Sequence, residues 1–154
     1  HKGLSALRLE LRGDGDRGPP RIQVHWGISG AGKSRRAHAN FPDGYWWPRP
    51  MNNAPYAAGY DGQTEVVIDD FYGWLPYDLL LRICDRHPLI VNAQGYSLPF
   101  RGIDIFITSN RPPMEWYPRV ADKSALLRRL REFGTVYHYT DVDAEPTVVD
   151  PEYV

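Results

Sequence analysis

The residues of this chain best suited to chemistry lie in Gly27-Ile28-Ser29-Gly30-Ala31-Gly32-Lys33-Ser34, directly after the apolar run Ile22-Gln23-Val24-His25-Trp26. Their spacing fits G-x-x-x-x-G-K-[ST], a loop that wraps phosphate between a strand and a helix. Gly27, Gly30 and Gly32 permit backbone angles that a side chain forbids. Successive N–H groups of the loop, through Ser29 and Ala31, can then turn inward around phosphate oxygens. The helix expected to start near Lys33 adds the positive end of its dipole to the same anion. Lys33 can reach the β- and γ-phosphates of a nucleoside triphosphate such as ATP, and the Ser34 hydroxyl can hold Mg²⁺.

Two further strand ends supply the rest of a hydrolytic site. Glu65-Val66-Val67-Ile68-Asp69-Asp70 is a β-branched run closing on two carboxylates. A buried parallel strand reads as a continuous apolar run, and acids at its C-terminal end emerge on the edge where α/β sheets bind ligands. There Asp69 would hold Mg²⁺, directly or through water, and Asp70 would orient or deprotonate the attacking water. Ile103-Asp104-Ile105-Phe106-Ile107-Thr108-Ser109-Asn110 is mostly apolar and ends in small polar residues. Asn110 is placed to hydrogen-bond a water or the γ-phosphate between the other two strand ends. Asn alone is a weak signal, because it ends many strands. The three elements in this order form a site for nucleoside triphosphate hydrolysis.

One domain must position them. The 154 residues, 42% hydrophobic and 13% aromatic, are enough to bury a single core. A formal net charge of −1 provides no global basic field, so any contact with nucleic acid must come from a local surface. Arginine carries most of the positive charge; Lys2, Lys33 and Lys123 are the only lysines. Cys84 stands alone, which excludes an internal disulfide and points to a reducing compartment. Its helical apolar surroundings make it a buried structural thiol rather than a catalytic one. No apolar run approaches the ~20 residues of a membrane span, and no signal peptide opens the sequence. The start at His1 rather than Met reads as a domain excised from something longer.

Around the site, residues 1–12 place Leu4, Leu7, Leu9 and Leu11 among charged residues, a pattern shared by a short helix and an alternating extended arm. Residues 13–20 are a linker by composition, so residues 1–20 form an attached arm suited to contacting a neighbouring subunit. The domain follows over 21–140 and an acidic tail over 141–154. A helix is expected about Lys33–Asn40, with Arg35 and Arg36 on its solvated face. The aromatics of Tyr45-Trp46-Trp47 would cover the sheet, and Gly59-Tyr60-Asp61-Gly62 marks a turn. Pro76 suits the first turn of a helix with Leu79, Leu80, Ile83 and Cys84 inward and Arg82, Asp85 and Arg86 outward. Leu89-Ile90-Val91 and Tyr96-Ser97-Leu98 flank Asn92-Ala93-Gln94-Gly95 as a hairpin. A last helix over Lys123–Glu132, capped by Asp122, buries Leu126, Leu127 and Leu130 and places Arg128, Arg129 and Arg131 on its other side. Val136-Tyr137-His138-Tyr139 reads as the last strand. No His/Cys cluster has metal spacing, and no Ser-His-Asp arrangement is present.

Taken together, the motifs closely resemble the replication initiator proteins (Rep) of circoviruses and related circular single-stranded DNA viruses. The resemblance spans about residues 22–132 and rests on the glycine-rich loop, Gly59 to Gly62, and above all Val67-Ile68-Asp69-Asp70-Phe71-Tyr72-Gly73-Trp74-Leu75-Pro76. Leu81 to Arg86, Ile107 to Asn110 and Glu115-Trp116-Tyr117 add to it. It implies a superfamily 3 helicase domain, a P-loop NTPase of AAA+ type with a central, mostly parallel sheet flanked by helices. Such domains form homo-oligomeric rings, usually hexamers, that hydrolyse ATP with Mg²⁺ and move along single-stranded DNA, here in the host cell nucleus. The resemblance places Walker A on Gly27 to Ser34, Walker B on Val66 to Asp70 and the sensor on Asn110. It places the arginine finger on Arg128 or Arg129 and the DNA-contacting hairpin about Leu89–Leu98. Related proteins often carry a lysine at the hairpin tip, where this chain has Gln94; Tyr96, Arg86 and Arg101 are the other candidate DNA contacts. The His-hydrophobe-His and Tyr-x-x-Lys motifs of the family's nicking domain do not occur, so this segment is not expected to nick or join DNA. A small-molecule or nucleotide kinase shares the loop and sheet, and a non-catalytic, ATP-stabilised assembly and DNA-binding module shares the ring.

Overall fold

The computed structural model describes residues 17–52 and 54–152. The arm expected over residues 1–20 lies outside the described residues up to position 16. The elements run β1 (Arg21–Gly27), α1 (Lys33–Asn40), β2 (Tyr45–Trp46), β3 (Glu65–Ile68), α2 (Tyr77–Ile83), β4 (Ile90–Asn92), β5 (Ser97–Pro99) and β6 (Asp104–Ser109). A 3₁₀ turn (Pro113–Glu115), α3 (Ser124–Phe133), β7 (Gly134–Tyr139) and β8 (Thr147–Val149) follow.

Six strands form one sheet in the order β2-β3-β6-β1-β7-β8, all parallel except the last pair. The apolar runs of the sequence become its centre. Val24, Val66, Val67, Ile68, Ile105, Phe106 and Ile107 are all fully enclosed, because helices cover both faces of a parallel sheet. On one face α2 and α3 press Leu80, Ile83, Leu126 and Leu130 against Ile22, Val24, Ile105 and Ile107. On the other, Ala37 of α1 and Phe41 just after it meet Val67 and Phe106. This is the α/β architecture of P-loop NTPases. It sets β6 between the strand of the glycine-rich loop and the strand of the two acids.

Several boundaries differ from the sequence reading, each for a local reason. The acidic tail is partly structured: Thr147–Val149 lies antiparallel on β7, so β7 is not the last strand. Three of its acids pair with arginines: Glu145 with Arg36 at 2.9 Å, and Asp150 and Glu152 with Arg131 at 2.9 and 2.7 Å. The last helix begins one residue later than expected, at Ser124, whose N–H donates to Asp122 Oδ1 at 2.9 Å. Asp85 faces inward rather than outward. It pairs with Arg129 at 2.9 Å, and the two side chains are only 18% and 15% exposed. Cys84 ends α2 fully buried, its thiol pushed up to about 12 by burial against the opposing charges of Arg17 and Arg129.

The end of the linker is likewise docked. The Arg17 guanidinium donates to the carbonyls of Arg82, Ile83, Asp85, His87 and Gly102, and its backbone N–H to Arg86. It thereby satisfies carbonyls that the C-terminus of α2 leaves without helical partners. The hairpin β4–β5 forms a separate two-stranded sheet. Gln94 and Gly95 at its tip have φ of 60° and 114°, the pair of positive values that a two-residue type I′ turn requires. The Asn92 side chain supports that turn by accepting the Gln94 N–H at 2.9 Å.

Candidate active site

At the C-terminal ends of β1, β3 and β6 the chain opens a cleft of about 410 Å³, lined by Ser29, Gly30, Gly32, Lys33, Ser34, Arg35, Asp69, Asp70, Thr108, Ser109 and Asn110. Three segments far apart in sequence thus converge on one edge, where the sequence pattern placed them. Gly27 and Ala31 belong to the same loop without lining the cleft. Gly30 and Gly32 have φ of 81° and 84°, with open space where a side chain would stand, so conformation alone demands glycine there. Gly27 has a second reason: a Cβ would collide with the backbone of Tyr139 on β7. The Ile28 N–H donates to that Tyr139 carbonyl at 3.1 Å, stapling the loop to the neighbouring strand.

Lys33 is almost wholly buried and folds back over the loop. Its Nζ donates to the carbonyls of Gly27 at 3.1 Å and Ile28 at 2.6 Å. Burial pulls its pKa below the ordinary lysine value, against the attraction of Asp70 and Asp69. A desolvated ammonium tethered by two neutral carbonyls gains from exchanging them for phosphate oxygens.

The acids are held by a network that the sequence alone did not single out. Asp69 Oδ1 accepts from Ser34 Oγ and from Thr108 Oγ1, both at 2.7 Å. Thr108 Oγ1 in turn accepts the Asp70 N–H at 2.7 Å. Asp70 has φ of 52°, a left-handed backbone that a non-glycine residue keeps only when its surroundings impose it. The Asp-Phe-Tyr-Gly-Trp-Leu-Pro run provides those surroundings. Phe71 packs edge-on against Trp116 at 5.0 Å, and its N–H donates to the Thr108 carbonyl at 2.7 Å. Trp74 Nε1 donates to the Asp70 carbonyl at 3.1 Å. Gly73, with φ of 100°, lies so close to the Trp116 backbone that no side chain fits. The most distinctive stretch of the sequence is therefore the clamp that aims the second carboxylate.

Ser34 and Asp69 offer hard oxygen donors directed at one point, which suits Mg²⁺. Among the described residues no group of three or more His, Cys, Asp or Glu could hold a metal. Mg²⁺ held through one carboxylate, a hydroxyl and substrate phosphates needs no such cage. Asn110 is exposed at the end of β6. Beside it Ser109 is buried; its Oγ donates to the Phe71 carbonyl at 2.6 Å and accepts from Trp116 Nε1 at 3.0 Å.

Other candidates fall elsewhere. Arg129 is committed to its own fold, with Nε donating to the Leu81 carbonyl at 3.0 Å beside the Asp85 pair. Arg128 is exposed, and its side chain makes no hydrogen bond or ion pair with the described residues. Gln94 is at the hairpin tip, and Tyr96 is half exposed with its hydroxyl tied to the Tyr60 carbonyl at 3.0 Å. Arg86 and Arg101 flank the base of the hairpin rather than its tip. Sequence reasoning missed Thr108, Arg35 and Arg49, the last of which pairs with Asp70. Thr108 lies inside the quoted strand, but only the register of β6 against β3 shows that its hydroxyl reaches both acids.

The chain is also similar to known proteins. Residues 23–111 match a family model described as RNA helicase. The chain is 45% identical over 135 residues to the replication-associated protein of Porcine circovirus 2, a match covering 84% of this chain and 42% of that protein. It is 42% identical over 140 residues to the replication-associated protein of Goose circovirus, covering 86% and 44%. It is 40% identical over 104 residues to that of Human associated cyclovirus 1, covering 60% and 36%. The chain therefore spans about two fifths of the length of the curated relatives it matches. By the family model and these relatives, this chain belongs to the superfamily 3 helicase family, as the helicase domain of a circovirus-like replication-associated protein.

Proposed function

We propose that the chain is the ATP-driven motor of a viral replication initiator, hydrolysing ATP between the subunits of a homo-oligomeric ring and translocating on single-stranded DNA in the host nucleus. The observation that carries this reading is the convergence of Lys33, Ser34, Asp69, Asp70 and Asn110 on one cleft, in a chain whose relatives are replication-associated proteins. The triphosphate lies along the Ser29–Ser34 loop, whose N–H groups, with Lys33, carry its charge. Ser34 and Asp69 would hold Mg²⁺, which would supply positive charge to neutralise the phosphates. Asp70 orients the attacking water and accepts its proton, and Asn110 hydrogen-bonds that water or the γ-phosphate.

Lys33 and Arg35 are the only basic side chains among the described residues that line the cleft. A further cation for the transition state then comes from a neighbouring subunit. We assign that role to Arg128, which is free, over Arg129, which is bound to Asp85 and Leu81. The β4–β5 hairpin grips the strand through Gln94 and Tyr96, with Arg86 and Arg101 behind. A hexamer is the expected ring, and this segment neither nicks nor joins DNA.

Hydrolysis measured against protein concentration, with and without single-stranded DNA, tests this. A rate per subunit that rises steeply with concentration and is stimulated by DNA is expected. A flat, DNA-indifferent rate would favour a self-contained kinase-like site, and ring assembly on ATP without turnover would favour a scaffold.

A further inference from the structure

The β4–β5 hairpin leaves the rest of the domain at one point of the chain and returns at another, and a single arginine from outside it holds both. Ile90 pairs with Pro99, and one step further out the Phe100 N–H donates to the Leu89 carbonyl at 2.7 Å. Two residues beyond that pair, on the same register, stand His87 and Gly102, past the ends of both strands. The Arg17 guanidinium bridges them: Nε donates to the His87 carbonyl and Nη1 to the Gly102 carbonyl, each at 3.0 Å. It takes the place of the next strand pair.

The bridge is fixed at every donor. Nη1 also reaches the Ile83 carbonyl at 3.3 Å, and Nη2 reaches those of Arg82, at 2.5 Å, and Asp85. All five N–H groups of the guanidinium are thereby used. Its Cζ lies 4.9 Å from the ring centroid of Phe100, the buried aromatic that follows β5. The segment that delivers Arg17 is stiff. Pro19 and Pro20 have a fixed φ, and Gly18 adopts a φ of 93° that a side chain disfavours. Arg21 then enters β1 with its N–H on the Ile103 carbonyl at 2.7 Å, next to Gly102. Further ties of the hairpin run to the 57–60 turn, from the Ala57 N–H to the Asn92 carbonyl at 2.8 Å and from the Tyr96 hydroxyl to the Tyr60 carbonyl at 3.0 Å. They meet its outer half and leave its base to Arg17.

We propose that Arg17 is a positioning residue for the hairpin: it clasps the two ends of the hairpin together and so fixes how Gln94 and Tyr96 are presented to single-stranded DNA. Without the clasp, a two-stranded hairpin of this length frays from its base, and DNA must order it on binding. The positioning role rests on the DNA contact proposed above for the hairpin; the clasp itself is tested apart from it.

The test measures hydrogen exchange, oligothymidylate affinity and ATP turnover in the wild-type chain, Arg17→Ala and Arg17→Lys. In Arg17→Ala the amides of Ala93 and Phe100, which close the hairpin at its tip and base, are expected to exchange roughly tenfold faster. Amides of β1 and β6 keep their wild-type rates. Oligothymidylate affinity falls roughly three- to tenfold, the range for ordering a few loosened side chains on binding. ATP turnover without DNA is unchanged. Arg17→Lys, with three donors and no planar fork, gives intermediate exchange and affinity. Wild-type exchange at Ala93 and Phe100 in Arg17→Ala overturns the clasp. Exchange raised equally in β1 and β6, or a variant that does not fold, makes Arg17 a general prop of the domain and overturns it as well. Faster hairpin exchange with wild-type oligothymidylate affinity overturns the positioning role. A wild-type chain that binds no oligothymidylate overturns the DNA reading of the hairpin, and the positioning role with it.

Discussion

The cleft edge of the sheet and the β4–β5 hairpin are built in opposite ways. At the edge, Thr108 and Ser109 are 2% and 1% exposed, and their hydroxyls bind Asp69, the Asp70 N–H, Phe71 and Trp116. The hairpin has two three-residue strands outside the main sheet and exposes Ile90 and Tyr96. An isolated two-stranded hairpin is marginal in water, so this one depends on what holds its base. That support comes from Leu89, Val91 and Phe100, which are buried, and from Arg17 and the Arg129–Asp85 pair around the end of α2. Groups that act on a phosphate must be fixed before substrate arrives, whereas groups that follow a moving polymer must be exposed. Under the proposed function, the chain meets these two needs with different amounts of burial.

Three changes probe that contrast, in decreasing order of effect. Lys33→Ala or Asp69→Asn should lower ATP turnover by roughly a hundredfold or more, since the first removes a positive charge from the phosphates and the second weakens the site proposed for Mg²⁺. The melting temperature should stay within about 2 °C. A large loss of stability would mean that the edge holds the fold together, and the contrast between fixed chemistry and core would fail.

Arg129→Ala should destabilise the domain by about 2–3 kcal/mol, because it breaks a largely buried pair and strands Asp85. Burial pushes the Asp85 carboxyl up, but the Arg86 N–H together with Arg129 and His87 outweighs it and holds the pKa below the usual value. Arg128→Ala should leave stability unchanged and abolish turnover while sparing ATP affinity. Urea denaturation of both variants, set beside their turnover, separates the two arginines; the reverse pattern would exchange the assignments.

The smallest effect concerns His25, which lies behind the loop, stacked on Phe106 at 4.2 Å with its Nδ1 hydrogen-bonded to the Tyr139 hydroxyl at 2.7 Å. Burial, aided by the Arg36 charge, lowers its pKa to about 3. The unfolded chain takes up this proton near 6.5 and the folded chain does not. The stability is therefore complete above about pH 6.5 and is lost as pH falls toward 3, with a slope approaching about 1.4 kcal/mol per unit. Urea midpoints between pH 7 and 4 should show this slope, and His25→Phe should flatten it. An unchanged slope in the variant would assign the acid sensitivity to other groups.

Much of this was legible in the sequence because it is local. The glycine-rich loop, the acid-ending strand, the hairpin around Asn92-Ala93-Gln94-Gly95 and the burial of Cys84 follow from residue types and short spacings. The role of the Asp-Phe-Tyr-Gly-Trp-Leu-Pro run was not legible, since Gly73 is required by Trp116, which is distant in sequence. Nor could helical periodicity tell Arg129 from Arg128. Neighbouring positions near the edge of an apolar stripe differ only in what the next element presents, here Leu81 of α2 and Asp85 just beyond it.

The sequence by itself determined the phosphate loop, the order of the strands that carry the acids and Asn110, and membership in a helicase family. The loop and the strands reside in backbone freedom and apolar periodicity, which each segment possesses before it meets another, and the family assignment rests on the likeness of the motifs. Only the tertiary structure decided that β6 lies between β1 and β3, that Thr108 joins the two acids, and that Arg49 reaches Asp70. Hydrogen bonds and ion pairs between distant segments depend on register and packing, and neither is written in any one stretch of the chain.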